Sequence, residues 1–357
     1  SDEKVYDGAP LTNNGFNHAG ALVEGDVLTA VVEGSQTDVG SSDNVVTSYR
    51  VMRGETDVTT SYTFGKSIIG KLTVTPVAIE LTAASASKAY DGTPLTNSNY
   101  TITKGAFVDG EGLATVTIAG SQTLVGASAN TITGHKLKSN TKAQNYNITY
   151  ADGTLTVSKN EKVITVTANS RTWEYDGKEH SDGGYTVRYD GETYTVAAGE
   201  SQELPTGGLT LTATVAGTVK DVKDSAKDNN KITVVAITDA AGNVVNDQFK
   251  TITLVPGTLT ITKRGAGEEK VILEAANNAV IYDGQPHGVC LTADGKVEAG
   301  TSYAITYLAD GHSVETVITG SRTEVGKYPG ILVPDENNTR IVDGSGNDVT
   351  DNYEITY

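Results

Sequence analysis

Apolar residues alternate with threonine along much of the chain. In Ala114–Gly120 (ATVTIAG), Val116 and Ile118 are separated by Thr115 and Thr117, and the same two-residue period runs through Lys231–Thr238, Thr251–Val255 and Lys71–Pro76. A period of two sends alternate side chains to opposite faces of a strand. These segments therefore predict strands with one apolar face and one Thr-covered face, as in an antiparallel sheet half exposed to water. Helical periodicity is scarce. Gly20–Leu28 and Ala106–Ala114 come closest, but glycine interrupts both, so they predict single turns at most. Thr238–Val245 (TDAAGNVV) and Val342–Val349 (VDGSGNDV) read as hairpin loops.

The pattern repeats. Tyr-Asp-Gly occurs as Tyr6, Asp7, Gly8; as Tyr90, Asp91, Gly92; as Tyr175, Asp176, Gly177; and as Tyr282, Asp283, Gly284. A second mark reads GSQTDVG from Gly34, GSQTLVG from Gly120 and GSRTEVG from Gly320, with a weak counterpart, GTVKDV, from Gly217. A third closes each unit: GKLTVT from Gly70, GTLTVS from Gly153 and GTLTIT from Gly257. NYNITY from Asn145 and NYEITY from Asn352 form a fourth. Cutting after each closing strand gives spans 1–76, 77–159, 160–263 and 264–357.

The first span is expected to lack the strand before its Tyr-Asp-Gly, and the last to lack its closing strand. A fragment cut from a longer array would have such ends. Val219–Asn230 is an insertion expected to be a solvated loop. Of the junctions, Val74–Glu80 and Val157–Val163 are short and free of glycine. Ile261–Val271, with Gly-Ala-Gly, is expected to bend most.

Composition narrows the function. The net charge is −17, with 27 Lys and Arg against 44 Asp and Glu. Such a chain lacks the clustered cations that a phosphate backbone or an anionic membrane requires, so neither nucleic acid nor direct membrane insertion is expected. Hydrophobic residues make up 37%, which predicts several small cores rather than one large one. A single cysteine, Cys290, excludes an internal disulfide and a Cys-based zinc site. It is expected on a strand as a small buried hydrophobe.

Taken together and in order, YDGxPLT, GSQTxVG and NYNITYADGTLTV resemble the YDG/MBG-type repeat of very large bacterial cell-surface proteins. Residues 77–159 carry every mark. Residues 160–263 depart most, with EYDGKEH and no GSQT. The resemblance implies an all-β fold: a tandem array of four small immunoglobulin-like β-sandwich modules in an elongated rod, or β-grasp modules as the alternative. It also implies an extracellular place on the bacterial surface, attached to the cell wall through a region outside these residues.

Candidate chemistry is sparse. The histidines are His18, His135, His180, His287 and His312, and none accompanies a nucleophile at triad spacing. His180 and His287 stand five residues after the Tyr of Tyr-Asp-Gly, where the first two spans have Leu11 and Leu95, so they read as packing positions. Asp343, Ser345, Asn347, Asp351 and Glu354 fall at positions 1, 3, 5, 9 and 12 of a calcium-loop count and are the candidate metal ligands, although Asp348 replaces the usual glycine. Calcium is the only cofactor suggested. Lys162 with Asn145 or Asn352 supplies the residue types of a Lys–Asn isopeptide crosslink. The expectation is a non-enzymatic stalk or spacer that contributes to adhesion. The alternatives are modules that bind a host glycan or glycoprotein directly through exposed tyrosines, and assembly through exposed edge strands. Neighbouring modules of the same chain are the remaining partners.

Overall fold

The computed structural model describes residues 1–357 as β-strands joined by turns, with three-residue 3-10 turns as the only helical elements. No helix is long and apolar enough to cross a membrane. The chain divides into two compact units, Ser1–Lys159 and Asn160–Tyr357.

In the first unit, strand Val77–Ala83 runs parallel to Tyr146–Ala151 and antiparallel to Tyr100–Lys104. After a short break the chain continues as Ala86–Ala89, which pairs in a different sheet, parallel to the closing strand Gly153–Ser158. Strand Gly126–Leu137 pairs first with Gly153–Ser158 and then with Leu113–Ala119, both antiparallel, and its ladder shifts register between Ile132 and Gly134. The closing strand alternates buried and exposed along its whole length, with Leu155 and Val157 inside. Its glycine is required by a close approach: a Cβ on Gly153 would stand 2.5 Å from the Ala83 carbonyl oxygen. The result is an all-β, sandwich-like arrangement of several sheets.

Residues 1–76 use the same pairings, with Asp2–Val5 running parallel to the closing strand Gly70–Thr75 just ahead of the first Tyr-Asp-Gly. No strand of this span corresponds to the longer Val77–Ala83 and Ile164–Ala168 that lead into Tyr-Asp-Gly later in the chain. Residues 62–69, which correspond to NYNITY, consequently have no parallel partner and form no strand. Ile68 is 94% exposed. Tyr62 donates its N–H to the Thr59 carbonyl, and no ladder follows it before Gly70.

In the second unit, Ile164–Ala168 runs parallel to Ile252–Val255, and Arg171–Glu174 runs parallel to the closing strand Leu259–Thr262. Strand Thr210–Ala216 pairs with Lys231–Thr238. Further along, Val271–Ala275 is parallel to Ile355–Thr356 and antiparallel to Tyr303–Ile305. The alternation expected for Thr251–Val255 does not bury Leu254 or Val255, because this strand lies at the edge of its sheet.

The insertion Val219–Asn230 is a loop whose residues between its two ends are exposed or half-buried, and its own side chains hold it in place. Asp221 and Asp224 form a capping box around the turn Val222–Asp224. The Asn229 side chain bonds both the N–H and the carbonyl of Leu259, and Ser225 Oγ does the same for Ile261, so side chains replace a ladder along the closing strand. The cores are not confined to single spans: one cluster runs from Leu72 and Val74 through Ile79 and Leu81 to Tyr146, and another from Tyr175 and Leu259 through Val271 to Tyr353. Cys290 lies outside any strand, half-buried, with its thiol 3.0 Å from Asn278 Oδ1.

Candidate functional site: an interlocking joint between repeats

Each Tyr-Asp-Gly is a turn closed by its own aspartate. The Oδ1 of Asp7, Asp91, Asp176 and Asp283 accepts the N–H two residues on, from Ala9, Thr93, Lys178 and Gln285. The glycine that follows lies at φ between 77° and 79°, a conformation costly for other residues.

A cation or imidazole always meets the carboxylate. Lys4 and Lys88 reach Asp7 and Asp91 from two residues before the tyrosine. Trp173 and Val280 occupy that place later in the chain, and there His180 and His287 reach Asp176 and Asp283 instead. The Leu-to-His exchange is therefore a compensation, with His180 also stacked on Trp173. Hydrogen bonds from Lys4 and His287 hold the Asp7 and Asp283 carboxyls below the usual range. Burial opposes this at Asp91 and Asp176, but hydrogen bonds from Lys88 and Thr93 in one, and from the Lys178 N–H and His180 in the other, outweigh it.

The marks converge where one repeat meets the next. In the first unit, Tyr6 packs edge-on against Tyr146, with ring centroids 5.8 Å apart. Glu111 accepts both hydroxyls, Tyr6 at 2.8 Å and Tyr146 at 2.6 Å. Burial and then Glu111 raise the Tyr146 hydroxyl to about 12. Asn145, fully buried, donates from Nδ2 to Asp38 Oδ1 at 2.9 Å and accepts the Val39 N–H at 2.9 Å. Lys142 adds an ion pair to Asp38. A Cβ on Gly8 would stand 2.9 Å from Val108 Cγ1.

The second unit repeats this arrangement. Tyr175 packs edge-on against Tyr353 at 5.4 Å. Asn352 donates to Asp221 Oδ1 and accepts the Val222 N–H. This assigns the weak mark GTVKDV: Asp221 and Val222 do what Asp38 and Val39 do. His312 stands at the place of Glu111, its Nδ1 2.7 Å from the Tyr353 hydroxyl, and a Cβ on Gly177 would meet His312 Nε2 at 2.9 Å. Burial lowers the His312 pKa.

The junction expected to bend most is pinned here. Arg264 donates to the carbonyls of Tyr175 and Tyr307 and lies 4.0 Å from the Tyr307 ring centroid. Glu174 accepts the Gly265 N–H and the Tyr307 hydroxyl.

The candidate calcium residues are placed as follows. Asp343 Oδ1 is taken by the N–H groups of Ser345 and Asn347 and by the Asn347 amide, closing a hairpin turn. Asp239 closes the related loop in the same way. Asp351 lies in the 3-10 turn Thr350–Asn352, and Glu354 donates its N–H to the Arg264 carbonyl. No group of three His, Cys, Asp or Glu side chains is placed to hold a metal ion. Of the crosslink candidates, Lys162 pairs with Asp190, while Asn145 and Asn352 are engaged in the joints. The joint itself was missed from sequence, although the recurrence of a buried-type Asn-Tyr beside an Asp-Val mark was its signal. No protein-family model and no curated protein matches this chain.

Proposed function

We propose that the chain is a non-enzymatic spacer of a bacterial surface protein of the YDG/MBG-type repeat class: four β modules strung end to end that hold an adhesive surface away from the cell. The observation that carries this reading is the parallel pairing of the first and last strands within a repeat. Val77–Ala83 lies parallel to Tyr146–Ala151, and Ala86–Ala89 parallel to Gly153–Ser158; the third repeat pairs its strands the same way. Tension applied between the two ends of such a repeat pulls neighbouring parallel strands in opposite directions. The hydrogen bonds are then loaded together in shear, not broken singly as in an unzipping hairpin. A stalk needs this property and an enzyme does not. The buried Tyr–Tyr and Asn–Asp joints support the reading, because they restrict movement between adjacent repeats.

X-ray scattering of the full chain tests the extended arrangement. A compact protein of this length has a radius of gyration of about 21 Å. An end-to-end array exceeds that by roughly half or more, and a value near 21 Å contradicts it. A second reading, direct binding of a host glycan or glycoprotein, draws on the exposed rings of Tyr49, Tyr100, Tyr150 and Tyr328. Saturable binding on a glycan array, lost when these tyrosines become alanine, would favour it over a pure spacer.

A further inference from the structure

The three closing strands keep one register against the strand before Tyr-Asp-Gly. Leu72 lies opposite Asp2 and Val74 opposite Lys4; Leu155 opposite Ala86 and Val157 opposite Lys88; Leu259 opposite Arg171 and Ile261 opposite Trp173. Counted back from the tyrosine, the leucine always meets the fourth residue and the Val or Ile the second. All six apolar side chains are at most 2% exposed.

The fourth Tyr-Asp-Gly has no such strand beside it. Residues 276–281 form no strand, and Val280, Ile281 and Tyr282 are 53%, 91% and 61% exposed, whereas Tyr6, Tyr90 and Tyr175 are buried. Across an open cleft of about 800 Å³ stand residues 326–332. These follow GSRTEVG as Gly40–Asn44 and Gly126–Asn130 follow their own marks, and both of those segments pair antiparallel with a closing strand. A six-residue strand fills about 20 Å of length, 4.8 Å of sheet and 10 Å between sheets, or roughly 950 Å³. The cleft therefore has both walls and the size of one strand.

We propose that this cleft is a strand-binding site. Its ligand is an extended peptide from outside residues 1–357 with the pattern Gly-x-Leu-Thr-Val/Ile-Thr/Ser, added parallel to residues 278–281 and antiparallel to residues 326–330. The register places its leucine opposite Asn278 and its Val or Ile opposite Val280. Its glycine passes Ala275 and Ala276 as Gly153 passes Ala83 and Ala84, where a Cβ would stand 2.5 Å and 2.6 Å from the two carbonyl oxygens. Pro329 fits the scheme. It stands where Ala129 does, one residue before the partner of the glycine. That partner and the glycine exchange both hydrogen bonds, as Asn230 and Gly257 do. The residue before it turns its N–H away, so a proline loses nothing there. The inference goes beyond the spacer reading and does not depend on it.

The test titrates the full chain into a fluorescein-labelled peptide of sequence Ala151–Lys159 (ADGTLTVSK) and follows anisotropy. Saturable binding is expected. Leu155→Asp or Gly153→Ala in the peptide should weaken it by about tenfold or more. Val280→Asp in the chain should do the same while leaving its thermal unfolding unchanged, since that side chain is half exposed. Absence of saturable binding, or binding indifferent to both the peptide changes and Val280→Asp, overturns the proposal.

Discussion

Asn352 reaches into the preceding repeat and closes on Asp221, its Nδ2 2.9 Å from Oδ1, while its own Oδ1 accepts the Val222 N–H at 2.7 Å. Asn145 makes the same pair of bonds with Asp38 and Val39. Both amides are almost wholly buried. Removing one takes a donor from the carboxylate, which keeps its lysine, and leaves the backbone N–H without a partner, which costs about 1–3 kcal/mol. Asn145→Ala and Asn352→Ala should each destabilise the chain by that amount in urea unfolding. Combining Asn145→Ala with Asp38→Ala should cost less than the sum of the two.

The Tyr-Asp-Gly glycines separate backbone cost from joint contact. Gly8, Gly177 and Gly284 share nearly the same φ, but a Cβ meets Val108 at Gly8, His312 at Gly177 and nothing within 4 Å at Gly284. Alanine at Gly284 should cost about 1 kcal/mol for the left-handed backbone alone. Alanine at Gly8 or Gly177 should cost distinctly more, with differential scanning calorimetry as the readout.

The two joints differ in pH response. His312 replaces Glu111, and its Nδ1 lies 2.7 Å from a Tyr353 hydroxyl that also accepts the Ala309 N–H. Burial depresses its pKa below the unfolded value of about 6.5, with Asp343 opposing and Lys220 and Arg264 adding to the effect. A depressed pKa means the contribution is complete above about pH 6.5 and is lost as pH falls through the folded value. The second unit should therefore weaken below that pH, and His312→Gln should flatten the dependence. The four Tyr-Asp-Gly carboxyls, also depressed, add a separate loss at lower pH.

The hairpin at Asp343 spends its carboxylate on Ser345 and Asn347. Millimolar calcium should therefore leave the melting temperature unchanged. A rise abolished by Asp343→Ala would instead restore the metal reading.

Strands and turns were legible because their causes are local. The two-residue period of Gly153–Ser158 and the Asp-Gly turns lie within a few residues of one another. The joint was not, because Asp38 and Asn145 are 107 residues apart and Asp221 and Asn352 are 131 apart. Asn145 has the residue type of a crosslink partner, and the carboxylate it bonds becomes visible only in the fold. His180 looked like a packing residue because its compensation for the absent lysine at Trp173 appears only when the turn is folded.

Pulling the full chain from residues 1 and 357 in a single-molecule force experiment tests the stalk most directly. Shear loading of the parallel end strands predicts a sawtooth of separate unfolding events. Each should release about 250–350 Å of chain, from about 3.5 Å per residue and the length of a repeat. A featureless extension at low force, with no discrete events, would contradict the account.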